Sequence, residues 1–65
     1  MEEKFGFLEL EITLKDGNVV RTKERGTLYV DDHRVFYRCD RISTKGFQCE
    51  IIPLDMICHI GFDEA

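Results

Sequence analysis

A chain of 65 residues with 9 Lys+Arg, 13 Asp+Glu and a net charge of −4 has room for one small domain, residues 1–65, and no second core. An apolar share of 43% excludes a disordered chain, and no uninterrupted apolar run nears the roughly 18 residues of a membrane span. No basic-then-apolar leader opens the sequence, so the expected location is cytoplasmic. There the odd set Cys39, Cys49 and Cys58 reads as three reduced thiols rather than a disulfide framework, and as small buried hydrophobes rather than redox centres.

Residue types favour strands. One Ala and five Leu stand against 21 Val, Ile, Thr, Phe and Tyr, the side chains that fit a pleated surface. Leu8, Leu10, Ile12 and Leu14 alternate with Glu9, Glu11, Thr13 and Lys15, which predicts a first strand with the leucines inward. Phe5 and Phe7 then fall on the outer face with Glu9 and Glu11. Asp16-Gly17-Asn18 predicts a tight hairpin, because both turn positions tolerate positive φ. Val19 to Val30 reads as one strand bent at Gly26, where a missing Cβ marks a bulge or kink.

Asp31-Asp32-His33 is a polar turn, and Val35 to Ile42 the third strand. Ser43-Thr44-Lys45-Gly46 closes another hairpin onto Phe47 to Ile52, which Pro53 ends because proline cannot donate to a ladder. Leu54-Asp55 makes a corner, and Met56 to Phe62 is the fifth strand. Five short strands, one sharply bent, predict an all-β fold: a small antiparallel barrel, since a flat sheet would leave an apolar face and two edges exposed.

Two family resemblances follow. Leu14-Lys15-Asp16-Gly17-Asn18-Val19-Val20, with Gly26-Thr27-Leu28 and Asp31/Asp32 after it, resembles the first signature of Sm-like barrels, and length and strand count agree over most of the chain. That resemblance implies RNA or other nucleic-acid binding. Gly26-Thr27-Leu28-Tyr29-Val30-Asp31-Asp32-His33-Arg34-Val35-Phe36-Tyr37, with Ile52-Pro53-Leu54-Asp55-Met56-Ile57, resembles GRAM and bacterial pleckstrin-homology-like domains over residues 26–57. It implies lipid headgroup binding on what would be a truncated pleckstrin-like sheet, because that fold continues with more strands and a capping helix. The Sm-like architecture is the preferred expectation, being complete at this length.

Catalytic chemistry finds little footing. His33 and the single serine, Ser43, lie in different turns, glycines are scattered, and a filled barrel leaves no substrate cavity, so no enzyme, small-molecule substrate or cofactor is expected. Zinc favours ligand pairs two to four residues apart. Cys39 and Cys49 could face each other across their hairpin, but the wide cysteine spacing leaves no metal site as the expectation. Cys58 reads as core beside Ile60 and Phe62, with His59 on a solvated rim.

Charge is segregated. Lys15 to Lys45 holds eight Lys/Arg and five Asp/Glu, while the remainder holds one Lys and eight acids. Arg21, Lys23 and Arg25 project from one face of the bent strand, and Arg34 and Arg38 flank Phe36. This is a basic stripe with an aromatic that could meet phosphates. The plainer reading is a solvated outer face, which the acidic overall balance favours. Apolar residues also occupy second faces: Phe5 and Phe7, Phe36 between Val35 and Tyr37, and Ile51 beside Ile52. A second face needs a cover, so Phe5, Phe7 and Phe36 are the expected interface with a protein partner or a second copy. The functional expectation is thus a self-associating, non-catalytic interaction module (an adaptor, regulator or inhibitor, of the kind phages carry), with nucleic-acid binding through Arg21, Lys23, Arg25, Arg34 and Arg38 as the alternative.

Overall fold

The computed structural model describes residues 1–43 and 46–65, and side chains outside 42–48. Six strands form one antiparallel sheet: β1 (Glu3–Leu14), β2 (Val19–Thr22), β3 (Gly26–Val30), β4 (Arg34–Ser43), β5 (Gly46–Pro53) and β6 (Ile57–Glu64), with a 3-10 turn at Leu54–Met56 before β6. Residues 10–13 of β1 pair with β2 and β6 at once, and Phe7 pairs with both Gly26 of β3 and Glu64 of β6. β6 therefore lies along one edge of β1, and β2 and β3 lie in succession along the other. β2 and β3 are the two halves of the expected bent strand, so the sheet is five strands wide. It curls strongly into a half-barrel.

Local chemistry sets the turns. Gly17 takes φ 95°, and the Asp16 carboxylate accepts the Asn18 backbone N–H and side-chain amide, each at 2.9 Å. At the next turn the Asp31 carboxylate accepts the N–H groups of His33 and Arg34 at 2.7 and 2.8 Å. Between β4 and β5 the pairing runs on to Ser43–Gly46, while Thr44 and Lys45 of the expected turn lie outside the described residues.

Gly26 at the bend is required by its surroundings. A Cβ there would sit 2.3 Å from the Arg38 carbonyl oxygen and 2.7 Å from the Phe7 ring. Thr22 enters the same bend from the core side, where its hydroxyl accepts the Glu24 N–H at 3.1 Å and meets Cys39 Sγ at 3.2 Å.

The core is built from Phe7, Leu10, Ile12, Leu28, Val35, Tyr37, Cys39 and Ile52, with Phe5, Leu14, Ile60 and Phe62 packed against it. Each fully buried apolar side chain stabilises the fold by about 1.5–3 kcal/mol. This core corrects the sequence reading of β1. Phe7 has 0% of its surface exposed and Leu8 has 40%, so the phenylalanine points inward and the leucine outward. The cause is a bulge. From Phe7 to Glu9 β1 advances two residues while β6 advances only one, from Glu64 to Asp63. Leu8 is the extra residue, and strict alternation resumes in the opposite phase beyond it. Phe5 and Phe7 thereby join Leu10 and Ile12 on the concave face, where Phe5 meets Phe62 with ring centroids 5.6 Å apart.

A second register shift, between Thr13 and Leu14, falls opposite Cys58. It leaves Cys58 exposed and not in the core.

Candidate protein-interaction surface

The convex side of the sheet carries two different surfaces. Over β1, β3, β4 and β5 the registers align Lys4, Tyr29, Phe36 and Ile51 in a row that crosses four strands. Tyr29 and Phe36 stack with centroids 5.6 Å apart and planes 24° from parallel, and Lys4 Nζ lies 5.9 Å from the Tyr29 ring centre. Ile51, at the end of the row on β5, is 61% exposed. Cross-strand neighbours in such a row bring their Cβ atoms to about 5 Å, so the three apolar side chains form one continuous patch. Arg34 and Arg38 stand on either side of Phe36 along β4, and Arg38 is opposite Thr27 and Cys49 in the next row. Arg34 also lies 3.9 Å from the Asp31 carboxylate.

The second surface covers β6, β1 and β2, and it is charged. Glu9, Glu11, Arg21, Lys23, Gly61 and Asp63 surround an open depression of about 340 Å³. Arg21 Nε donates to Glu11 Oε2 at 2.9 Å, so this cation is already matched by an acid.

The expected basic stripe is therefore divided. Arg21 on β2 and Lys23 just after it sit among carboxylates, whereas Arg34 and Arg38 edge the aromatic row on β4. The two groups are separated along β1 by the five steps from Gly6 to Glu11, roughly 15 Å at the strand rise. Arg25 is exposed at the bend between β2 and β3, where its carbonyl accepts the Asp40 N–H at 2.9 Å.

Of the three expected interface phenylalanines, only Phe36 is on the convex face. Phe7 is sealed in the core and Phe5 lies half-buried on the concave side, so neither offers its ring to a partner in this structure. Their places in the patch are taken by Tyr29 and Ile51. Tyr29 becomes a neighbour of Phe36 because four residues, Asp31–Arg34, separate the paired Val30 and Val35, which sets Tyr29 opposite Phe36.

The concave side contributes one perturbed group. Tyr37 Oη donates to Glu50 Oε2 at 3.4 Å, and burial followed by the Glu50 charge pushes the Tyr37 hydroxyl up to about 12. Asp31 is held below the usual carboxylate range by the His33 and Arg34 N–H groups.

Cys39 is buried and faces inward, while Cys49 is exposed and paired opposite outward-facing Arg38, so the two thiols are on opposite faces of the sheet and cannot share an ion. Among the described residues no group of three His, Cys, Asp or Glu is placed to hold a metal. Among them also, no helix is long and apolar enough to cross a membrane.

Comparison with known protein families, curated proteins and solved structures finds no match.

Proposed function

We propose that this protein is a non-catalytic protein-interaction module, acting as an adaptor, regulator or inhibitor, that self-associates or grips a partner through the convex face of β3, β4 and β5. The observation that carries the reading is the uncovered row Tyr29–Phe36–Ile51, ending on a strand that has no second neighbour among the described residues. Contiguous apolar surface rimmed by charges is how interaction sites on small domains present themselves. The free, exposed thiols of Cys49 and Cys58 fit a reducing compartment, which supports a cytoplasmic location.

One observation favours a second reading. Stacked Tyr29 and Phe36, edged by Lys4, Arg34 and Arg38, have the ingredients of a platform for single-stranded nucleic acid, in line with the Sm-like resemblance and compatible with a curled small barrel. The acidic balance of the chain and the neutralisation of Arg21 by Glu11 weigh against it.

Size exclusion with light scattering at low and high salt, recording absorbance at 260 and 280 nm together, separates the two. Clean protein absorbance with an elution unchanged by salt is expected. Co-purifying 260 nm absorbance that salt strips away, and that Arg34→Ala or Arg38→Ala removes, would replace the interaction reading with the nucleic-acid one.

A further inference from the structure

Resting on the interaction reading, we infer that the partner covering the row is a second copy of this chain, joined by antiparallel pairing of β5 with β5 across a two-fold axis. Three strands have an unpaired edge among the described residues, and they differ in how well that edge is guarded. β2 is four residues long and carries Arg21, with Lys23 directly after it. β6 is distorted by two register shifts against β1 and ends in Asp63-Glu64. Short length, charge and bulges are the devices by which natural edges avoid pairing. Over Cys49–Pro53, β5 is the least guarded of the three: its ladder with β4 is regular from Arg34–Pro53 to Arg38–Cys49, and its guards are a single charge, Glu50, and the terminal Pro53.

Charge placement selects the occupant and the register. A strand run antiparallel to itself is complementary to itself, so a second copy can satisfy the N–H and C=O groups of this edge, with the missing Pro53 N–H falling at the end of the joint. Glu50 shares the concave face with Tyr37, whereas Ile51 is convex. A two-fold centred on Glu50 would set like charges directly opposite, which destabilises a pair. Centred on Ile51, the axis sets Ile51 against its copy, places each Glu50 opposite the partner's Ile52, and extends the row Tyr29–Phe36–Ile51 into the second molecule without a break. The side chain that is 61% exposed in one chain then becomes the middle of the joint.

This register places the two Cys49 Cα atoms four residues apart along the paired strands, about 14 Å from each other. Cys49 is exposed and Cys39 is sealed, so in a Cys58→Ser chain a nitroxide label goes to Cys49 alone. Light scattering across a concentration series should show a species of twice 7.6 kDa. Double electron–electron resonance should give one short distance, and Ile51→Lys should weaken dimerisation at least tenfold with its circular dichroism unchanged.

A dimer insensitive to Ile51→Lys, or one whose labels lie far apart, overturns the β5 pair. A chain that stays monomeric at millimolar concentration overturns it too. That result leaves the interaction reading standing, because the interaction reading falls only to the salt-strippable nucleic acid described above.

Discussion

β1 and β5 make an instructive pair, because each turns one apolar side chain outward, Leu8 at 40% and Ile51 at 61% exposure, and only one of the two strands has neighbours along both edges. β1 has strands along both edges, and its convex face is occupied by Glu9 and Glu11, the second of which holds Arg21. β5 has β4 on one edge, nothing described on the other, and Ile51 open to solvent on the convex face. Residue type alone does not separate them. The difference lies in which strands arrive beside them, and a strand left with one neighbour keeps its binding capacity for something outside the chain.

The sharpest way to break this contrast is to truncate matched phenylalanines. Phe7→Ala should cost about 3–5 kcal/mol in urea unfolding, because it empties a sealed site against Gly26. Phe36→Ala, on the half-open row, should cost about 1 kcal/mol and register mainly in association. Equal losses would mean that the row is core and not surface.

Next comes the bulge. Leu10→Ala should cost about 2–4 kcal/mol and Leu8→Ala under about 1 kcal/mol, although both belong to the same alternating series. A reversed order would restore unbroken alternation and turn Phe5 and Phe7 outward again.

A smaller effect is readable by pH. The Tyr37 hydroxyl is raised from 10.0 to about 12 in the folded chain by burial and by Glu50, so the folded state holds this proton more tightly than the unfolded one. The resulting stability is complete below pH 10 and drains away as pH rises towards 12. Absorbance at the tyrosinate band should show one late-titrating tyrosine, and Tyr37→Phe should remove that step and flatten the alkaline loss of stability.

The least change is expected from the β1–β2 ion pair. Arg21 and Glu11 are both solvent-exposed, so a double-mutant cycle should give a coupling of about 0.2–1 kcal/mol that shrinks with salt. A larger coupling would mark the charged depression as more than a solvated face.

These outcomes also locate what the amino-acid sequence could disclose. Turns and bends were legible because each is decided by one or two residues: Asp16-Gly17 by its need for positive φ, Gly26 by close approach, Pro53 by its missing N–H. The strand count followed from them. The facing of Phe5 and Phe7 was not legible, since it depends on a bulge set by the pairing of β1 with a strand some 50 residues later, where one buried and one half-buried ring outweigh one exposed leucine. The row shared the same fate. Phe36 stood out by itself as apolar on both sides, but Tyr29 and Ile51 become its neighbours only once three strands are in register.

The placement of β6 has a consequence for how the chain acquires its shape. Leu10 pairs with Phe62 and Ile12 with Ile60, so the strand near the start is completed by the strand near the end, while the hairpins between them can form from local contacts. Closing that long loop must be paid in chain entropy before the Phe5–Phe62 and Leu10–Phe62 contacts return anything. The final docking of β6 should therefore set the pace of folding, in the milliseconds-to-seconds range of non-local β topologies. Until it happens, β1 has one bare edge, as β5 still has afterwards among the described residues.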